Sequence, residues 1–186
     1  MKISVGISNR HVHLTEEDYR LLFGDEEVTK RNDLKQPGMF ACNQVVTIKT
    51  PKKEINKVRV LGPFRGYTQV EISKTDAYTL GIDPPVRTSG DLDGASEIEI
   101  IGPCGSITRN AAIIANRHIH VNKEIRTEHN LVGISKVSVR KVGEKGAILD
   151  DVYLKDSEEA YFELHLDTDD ANAFLLKQND EVEIIL

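Results

Sequence analysis

The run Asn9-Arg10-His11-Val12-His13 returns as Asn116-Arg117-His118-Ile119-His120, with four of five residues identical and Val exchanged for Ile. In an extended strand, residues i and i+2 point to the same face. Each copy therefore aims two imidazoles one way and a β-branched residue the other. Two imidazoles on one face make half of a metal site. Four of the six histidines in the chain lie in these two pairs. Hydrogen-bonded core histidines would account for a single pair. Packing alone gives no reason to place Asn, Arg and two His together twice.

The rest of the chain repeats the same grammar. Alternation at Ile3, Val5 and Ile7 predicts a strand running straight into the first pair. Thr15 reads as the N-cap of a short helix that ends at Gly24. Residues 24–44 are polar, with a turn at Pro37-Gly38. Strands are expected at 45–48, 57–61, 68–73 and 97–101, with a short helix capped at Thr75-Asp76 and ended by Gly81. After the second pair, strands are expected at 137–139, 152–154, 161–165 and 181–185. Asp167 to Asp170 cap a helix through Ala171, Ala173, Phe174 and Leu175. Glu181-Val182-Glu183-Ile184-Ile185 echoes Glu97-Ile98-Glu99-Ile100-Ile101. Two modules of one design follow, 1–103 and 104–186, each a small β-barrel capped by a short helix, in a mainly β chain.

Overlaying the modules supplies a third donor to each. Glu71-Ile72-Ser73-Lys74-Thr75-Asp76-Ala77 aligns with His165-Leu166-Asp167-Thr168-Asp169-Asp170-Ala171, both at a strand end entering a capped helix. Glu71 and His165 then fall at one position. The trios are His11, His13 and Glu71, and His118, His120 and His165. Alone, Glu71 reads as a solvated carboxylate and His165 as a hydrogen-bonded core residue; their coincidence under the overlay favours metal ligation. Three protein ligands with a position open for water or substrate is the pattern of a catalytic zinc. Imidazole and carboxylate also suit other transition metals.

Arg65 stands six residues before Glu71. Its guanidinium suits a phosphate or carboxylate gripped through two hydrogen bonds, the alternative being a surface Arg. Lys52 and Arg59 add positive charge that fits either a phosphate-rich ligand or a solvated strand edge. His129 lacks a counterpart and reads as surface.

Composition narrows the function further. The net charge, 24 − 30 = −6, argues against a general nucleic-acid footprint. With no apolar run of about 18 residues and no signal-peptide core, neither a membrane span nor export is expected. Cys42 and Cys104 form no Cys-x-x-Cys pattern, which fits a reducing cytoplasm and buried or incidental thiols.

Several long motifs in order are similar to the PduL-type phosphotransacylases. They are Ser8 through Thr15, Gly62-Pro63 with Thr68 through Ser73, Pro84 through Arg87 with Ser89-Gly90-Asp91, and Asn116 through His120. The resemblance spans nearly the whole chain. It implies two helix-capped β-barrels with an active site between them, and two zinc ions, one held by each trio. It implies that Arg65 holds phosphate and acts in catalysis. The implied reaction interconverts a short acyl-CoA, propanoyl or acetyl, and phosphate with acyl phosphate and coenzyme A. Ser8, Asn9, Lys52, Arg59 and Asn172 match positions associated with coenzyme A. With no activated Ser or Cys in view, direct transfer is expected rather than an acyl-enzyme. Many relatives tied to bacterial microcompartments and propanediol utilization carry an N-terminal docking extension. Here the first strand starts at Met1 or close to it, so encapsulation, like homo-oligomerisation, is left open.

Three other protein classes share parts of this pattern. Binuclear amidohydrolases also begin with His-x-His on a strand, but on TIM barrels of about 250 residues rich in helix. His11, His13, Glu17 and Gly24 approach a first cupin motif, but Glu17 lies in the capped helix and no second motif follows. A non-catalytic metal-binding module would tolerate loss of Arg65.

Overall fold

A computed structural model describes residues 1–158 and 161–186. Period-two patterning yields strands whose apolar faces close on themselves. In chain order the elements are β1 (Lys2–Ser8), β2 (His11–His13), α1 (Glu16–Phe23), β3 (Lys30–Asp33), β4 (Phe40–Lys49), β5 (Glu54–Gly62), β6 (Gln69–Glu71), α2 (Lys74–Leu80), β7 (Val86–Arg87), β8 (Ser96–Ile101) and β9 (Ser106–Ala115). There follow β10 (His118–Val121), α3 (Lys123–Glu128), β11 (Lys136–Lys141), β12 (Ala147–Asp156), β13 (Leu164–Asp167), α4 (Thr168–Ala173) and β14 (Glu181–Ile185).

The chain is mainly β and forms two closed six-stranded barrels with short helices, as expected. One barrel runs β2-β5-β4-β8-β9-β6 and returns to β2, with β3 added on β4 and β7 on β9. The other runs β10-β12-β11-β14-β1-β13 and returns to β10. The two rings correspond strand for strand, including sense. β2 is parallel to β5 and antiparallel to β6, as β10 is parallel to β12 and antiparallel to β13.

The barrels do not follow the expected division into 1–103 and 104–186. The compact units are Arg10–Ala115, and Met1–Asn9 together with Asn116–Leu186. The strand before each His pair belongs to the other unit: β1 pairs with β13 and β14, and β9 with β6 and β8. Sequence adjacency suggested that β1 and the first pair share a barrel. The choice belongs to long-range ladders such as Val5 opposite Leu164, which local patterning does not encode.

Each unit has its own core. Val12, Leu14, Tyr19, Ile48, Val60, Val70 and Ile100 anchor one, and Ile3, Val5, Ile119, Leu149, Leu164 and Ile184 the other. Val12 and Ile119, the central residues of the repeated pentapeptide, are fully buried, so the imidazoles leave on the opposite faces of β2 and β10.

Caps set the helix boundaries. Thr15 accepts from the Asp18 N–H at 3.0 Å, and Glu16, Glu17 and Asp18 complement the positive end of α1. The cap of α2 is Ser73 rather than Thr75, in a reciprocal box with Asp76, and the left-handed Gly81 ends the helix. Asp167 caps α4.

The Arg of the repeat acts on these caps. Arg10 grips Asp76 through Nε and Nη2 at 2.9 and 2.7 Å, and Arg117 grips Asp170 the same way at 2.8 Å for both bonds. Each bidentate pair ties the loop before a His strand to the first turn of the helix that follows the third donor.

Four elements were not expected, among them β7, which is only two residues long. β3 is fully exposed and charged, so it carries no alternation to read. β9 and α3 lie between the strongest motifs, and α3 buries no residue completely. β13 starts at Leu164 rather than Tyr161. Among the described residues, no helix is long and apolar enough to cross a membrane.

Candidate active site

Each His pair meets its third donor by direct cross-strand pairing. In the ladder of β2 with β6, His11 sits opposite Glu71; in that of β10 with β13, His118 sits opposite His165. Opposed residues of an antiparallel pair share a face within about 5.5 Å. The i+2 spacing brings the second imidazole onto that face. In each trio the candidate ligand atoms lie within 4.8 Å of one another. His11 Nε2 is 3.4 Å from Glu71 Oε2, and the His11 and His13 rings meet edge-on with centroids 5.0 Å apart. The three rings of the other trio lie 4.9–5.1 Å apart.

The environment of these groups suits a cation. His13 and His120 are each 2% exposed, and their Nδ1 atoms have no hydrogen-bond partner among the described residues. A buried polar nitrogen without a partner is costly unless a ligand satisfies it. Burial, reinforced by His11 and Arg65, holds the His13 pKa well below the usual range. Burial, with His118 and His165, brings His120 down to about 3. Both rings are therefore neutral near pH 7, the form in which imidazole binds a metal. His118 Nδ1 lies 2.9 Å from the Asn116 carbonyl, a bond that orients the ring as backbone acceptors do behind ligating histidines.

Further polar groups surround the donors. Gln69, wholly buried, donates to Glu71 Oε1 at 2.6 Å and to Ser89 Oγ at 2.9 Å, while its own oxygen accepts from the Gly90 N–H. Arg65 is half-buried; its Nη1 donates to Ser89 Oγ at 3.0 Å and to the Tyr67 hydroxyl at 3.1 Å. Among the described residues, no carboxylate pairs with Arg65. Sequence reasoning missed Gln69, although it stands two residues before Glu71 on the same strand face. It also missed Glu163, at the same distance before His165.

The other predicted contacts fall in both units. Ser8, Asn9 and Asn172 fall in the unit of Met1–Asn9 and Asn116–Leu186, Lys52 and Arg59 in the unit of Arg10–Ala115. Lys52 is exposed, its Nζ 5.3 Å from the Tyr78 ring centroid. Arg59 already donates to the Cys42 and Asn43 carbonyls at 3.0 and 2.8 Å. Cys42 is buried and Cys104 exposed, and neither joins a donor cluster. His129 is not a free surface residue; it is half-buried and stacks on Phe162 with centroids 4.9 Å apart.

Comparison with known proteins gives this geometry a chemical class. The phosphate propanoyltransferase family profile matches residues 4–177. A protein of that name from Thermotoga maritima is 47% identical over 189 aligned positions, covering 98% of this chain and 89% of the relative. Namesakes from Rhodobacter capsulatus and Rhodopseudomonas palustris are 45% and 43% identical, covering 96% and 98% of this chain and 83% and 82% of theirs. Such relatives are transferases, and more narrowly phosphate acyltransferases. The chain belongs to the phosphate propanoyltransferase family. The metallohydrolase alternative is not favoured.

Proposed function

We propose that this enzyme passes a short acyl group, propanoyl or acetyl, between coenzyme A and inorganic phosphate, and that each trio holds one zinc ion. The observation that carries this reading is Arg65: a half-buried guanidinium that no carboxylate among the described residues pairs with, close enough to His13 to depress its pKa. Bound at such trios, zinc supplies Lewis acidity to acyl and phosphate oxygens and favours a thiol in its thiolate form.

The protein's own groups do the remainder. Tyr67 and Ser89 hold Arg65 through one nitrogen, and neither brings a negative charge to it. The remaining N–H donors can take two oxygens of a phosphate in parallel. Gln69 keeps one oxygen of Glu71 occupied and leaves the other facing His11. The low pKa values of His13 and His120 hold both rings unprotonated while phosphate binds. Ser8, Asn9, Lys52, Arg59 and Asn172 are proposed as coenzyme A contacts, with Lys52 the freest cation of the set. Direct transfer is favoured over an acyl-enzyme. The buried Cys42 thiol is pushed up to about 11, which disfavours it as a nucleophile.

The deciding experiment measures bound metal and thiol release from propanoyl-CoA and acetyl-CoA on one purified sample. Expected are two divalent ions per chain and thiol release that requires phosphate. Phosphate-independent hydrolysis, or full transfer by metal-free protein, would overturn the reading.

A further inference from the structure

The two trios differ in their third donor, and the residue two positions before it differs in the opposite sense. Ahead of Glu71 stands the amide Gln69; ahead of His165 stands the carboxylate Glu163. Both preceding residues are buried, at 0% and 3% exposure. Gln69 donates to Glu71. Glu163 accepts instead: from the Tyr161 hydroxyl, and from Ser4 Oγ at 3.3 Å. His165 Nε2 lies 2.9 Å from the Tyr161 oxygen and 3.2 Å from Glu163 Oε2. Since Tyr161 donates to Glu163, its oxygen accepts from His165, which places the ring proton on Nε2 and leaves the Nδ1 lone pair free.

The fold makes room for this carboxylate. A Cβ at Gly6, which pairs with His165 across β1 and β13, would lie 2.5 Å from Glu163 Oε2. The carboxylate is thus seated by three elements: β1, the segment before β13, and β13 itself.

We propose that Glu163 and Gln69 are reciprocal positioning residues, so that each barrel carries one carboxylate for its cation: Glu71 as a donor in one, Glu163 behind His165 in the other. This rests on the metal reading above. The physical reason is charge and directionality. A carboxylate donor needs a hydrogen-bond donor behind it to fix which oxygen faces the ion. An imidazole donor needs an acceptor behind it to fix its tautomer and raise its basicity. Exchanging one member of either pair alone sets two carboxylates, or two groups without a fixed proton, against each other.

The test is a double-mutant cycle read by metal content after equilibration with graded chelator, with circular dichroism as the control for folding. Glu163→Gln should weaken one of the two ions by about 10–100-fold and leave the other unchanged. His165→Glu alone should weaken the same ion further, because Glu163 then faces a second carboxylate. The double variant Glu163→Gln/His165→Glu recreates the Gln-then-Glu order of the first barrel and should regain at least about tenfold over His165→Glu. Tyr161→Phe removes the bridging hydroxyl while sparing Glu163, so it tests the same link if Glu163→Gln fails to fold; a severalfold weaker single ion is expected. The proposal is overturned if Glu163→Gln and Tyr161→Phe hold both ions as tightly as the parent, or if the double variant is no better than His165→Glu. A parent protein that binds no divalent ion would overturn the metal reading itself, and this inference with it.

Discussion

The unit of Arg10–Ala115 and the unit built from Met1–Asn9 and Asn116–Leu186 share their strand order, His register, Arg-to-cap clamp and the position of the third donor. They part in what surrounds that donor. The first sets Glu71 beside Gln69 and, through Ser89, Arg65. The second sets His165 beside Glu163 and Tyr161. A repeated frame can thus keep the geometry of a donor set while its chemistry diverges. Strand pairing holds the positions, and side chains one contact further out set the charge and hydrogen bonding around each third donor.

The largest effects should come from the shared positions. His13→Ala and His120→Ala should each lower bound metal from two ions to one and reduce acyl transfer by more than the roughly 100-fold expected of an outer partner. Metal analysis beside the thiol assay checks both. If only one of them loses an ion, the two trios are not equivalent as metal sites.

Next comes the asymmetric residue. Arg65→Ala should raise the KM for phosphate and lower kcat/KM by about 100- to 1,000-fold, the scale of losing one preorganised donor to developing charge. Bound metal should stay at the parent level. Normal phosphate kinetics in this variant would remove Arg65 from the machinery.

The clamps should cost stability unequally. The Asp76 side chain is 6% exposed and Asp170 23%, so removing each Arg leaves charges buried to different depths. Arg10→Ala should cost about 3 kcal/mol or more, and Arg117→Ala about 1.5 kcal/mol. Urea unfolding of both variants measures the difference; equal costs would show that the two clamps are energetically alike.

The smallest effect is in pH. A histidine whose folded pKa is lowered contributes no penalty above its unfolded value of about 6.5. Below that value the unfolded chain takes up a proton that the native ring refuses, so stability falls with falling pH until the folded pKa is reached. For His120 the window runs down to about 3, and His13 follows in the same direction. Metal-stripped protein should therefore show a urea midpoint that declines from pH 7 to pH 5. His120→Gln should flatten the decline; an unchanged slope would show that His120 is not the source.

Much of this was legible in the residues. The His pairs declare themselves through period two. Glu71 and His165 emerge from the overlay because both modules enter a capped helix at the same offset. Thr15, Gly24, Gly81 and Asp167 mark helix ends because capping is local chemistry. Ser73 and Thr75 compete as caps within three positions, and only the reciprocal bond with Asp76 chooses Ser73. β3 and α3 stayed hidden because they bury too little apolar surface to leave a pattern.

What the sequence alone determined is which side chains share a face and where helices begin, since both follow from backbone periodicity and hydrogen bonds within a few residues. Only the tertiary structure decided that β1 closes the barrel of β10 and β9 that of β2, that Ser89 and Gly90 hold Gln69 while Ser4 reaches Glu163, and that no carboxylate among the described residues pairs with Arg65. Those outcomes depend on partners distant in the chain, and a strand's alternation states that it will pair without stating with which neighbour.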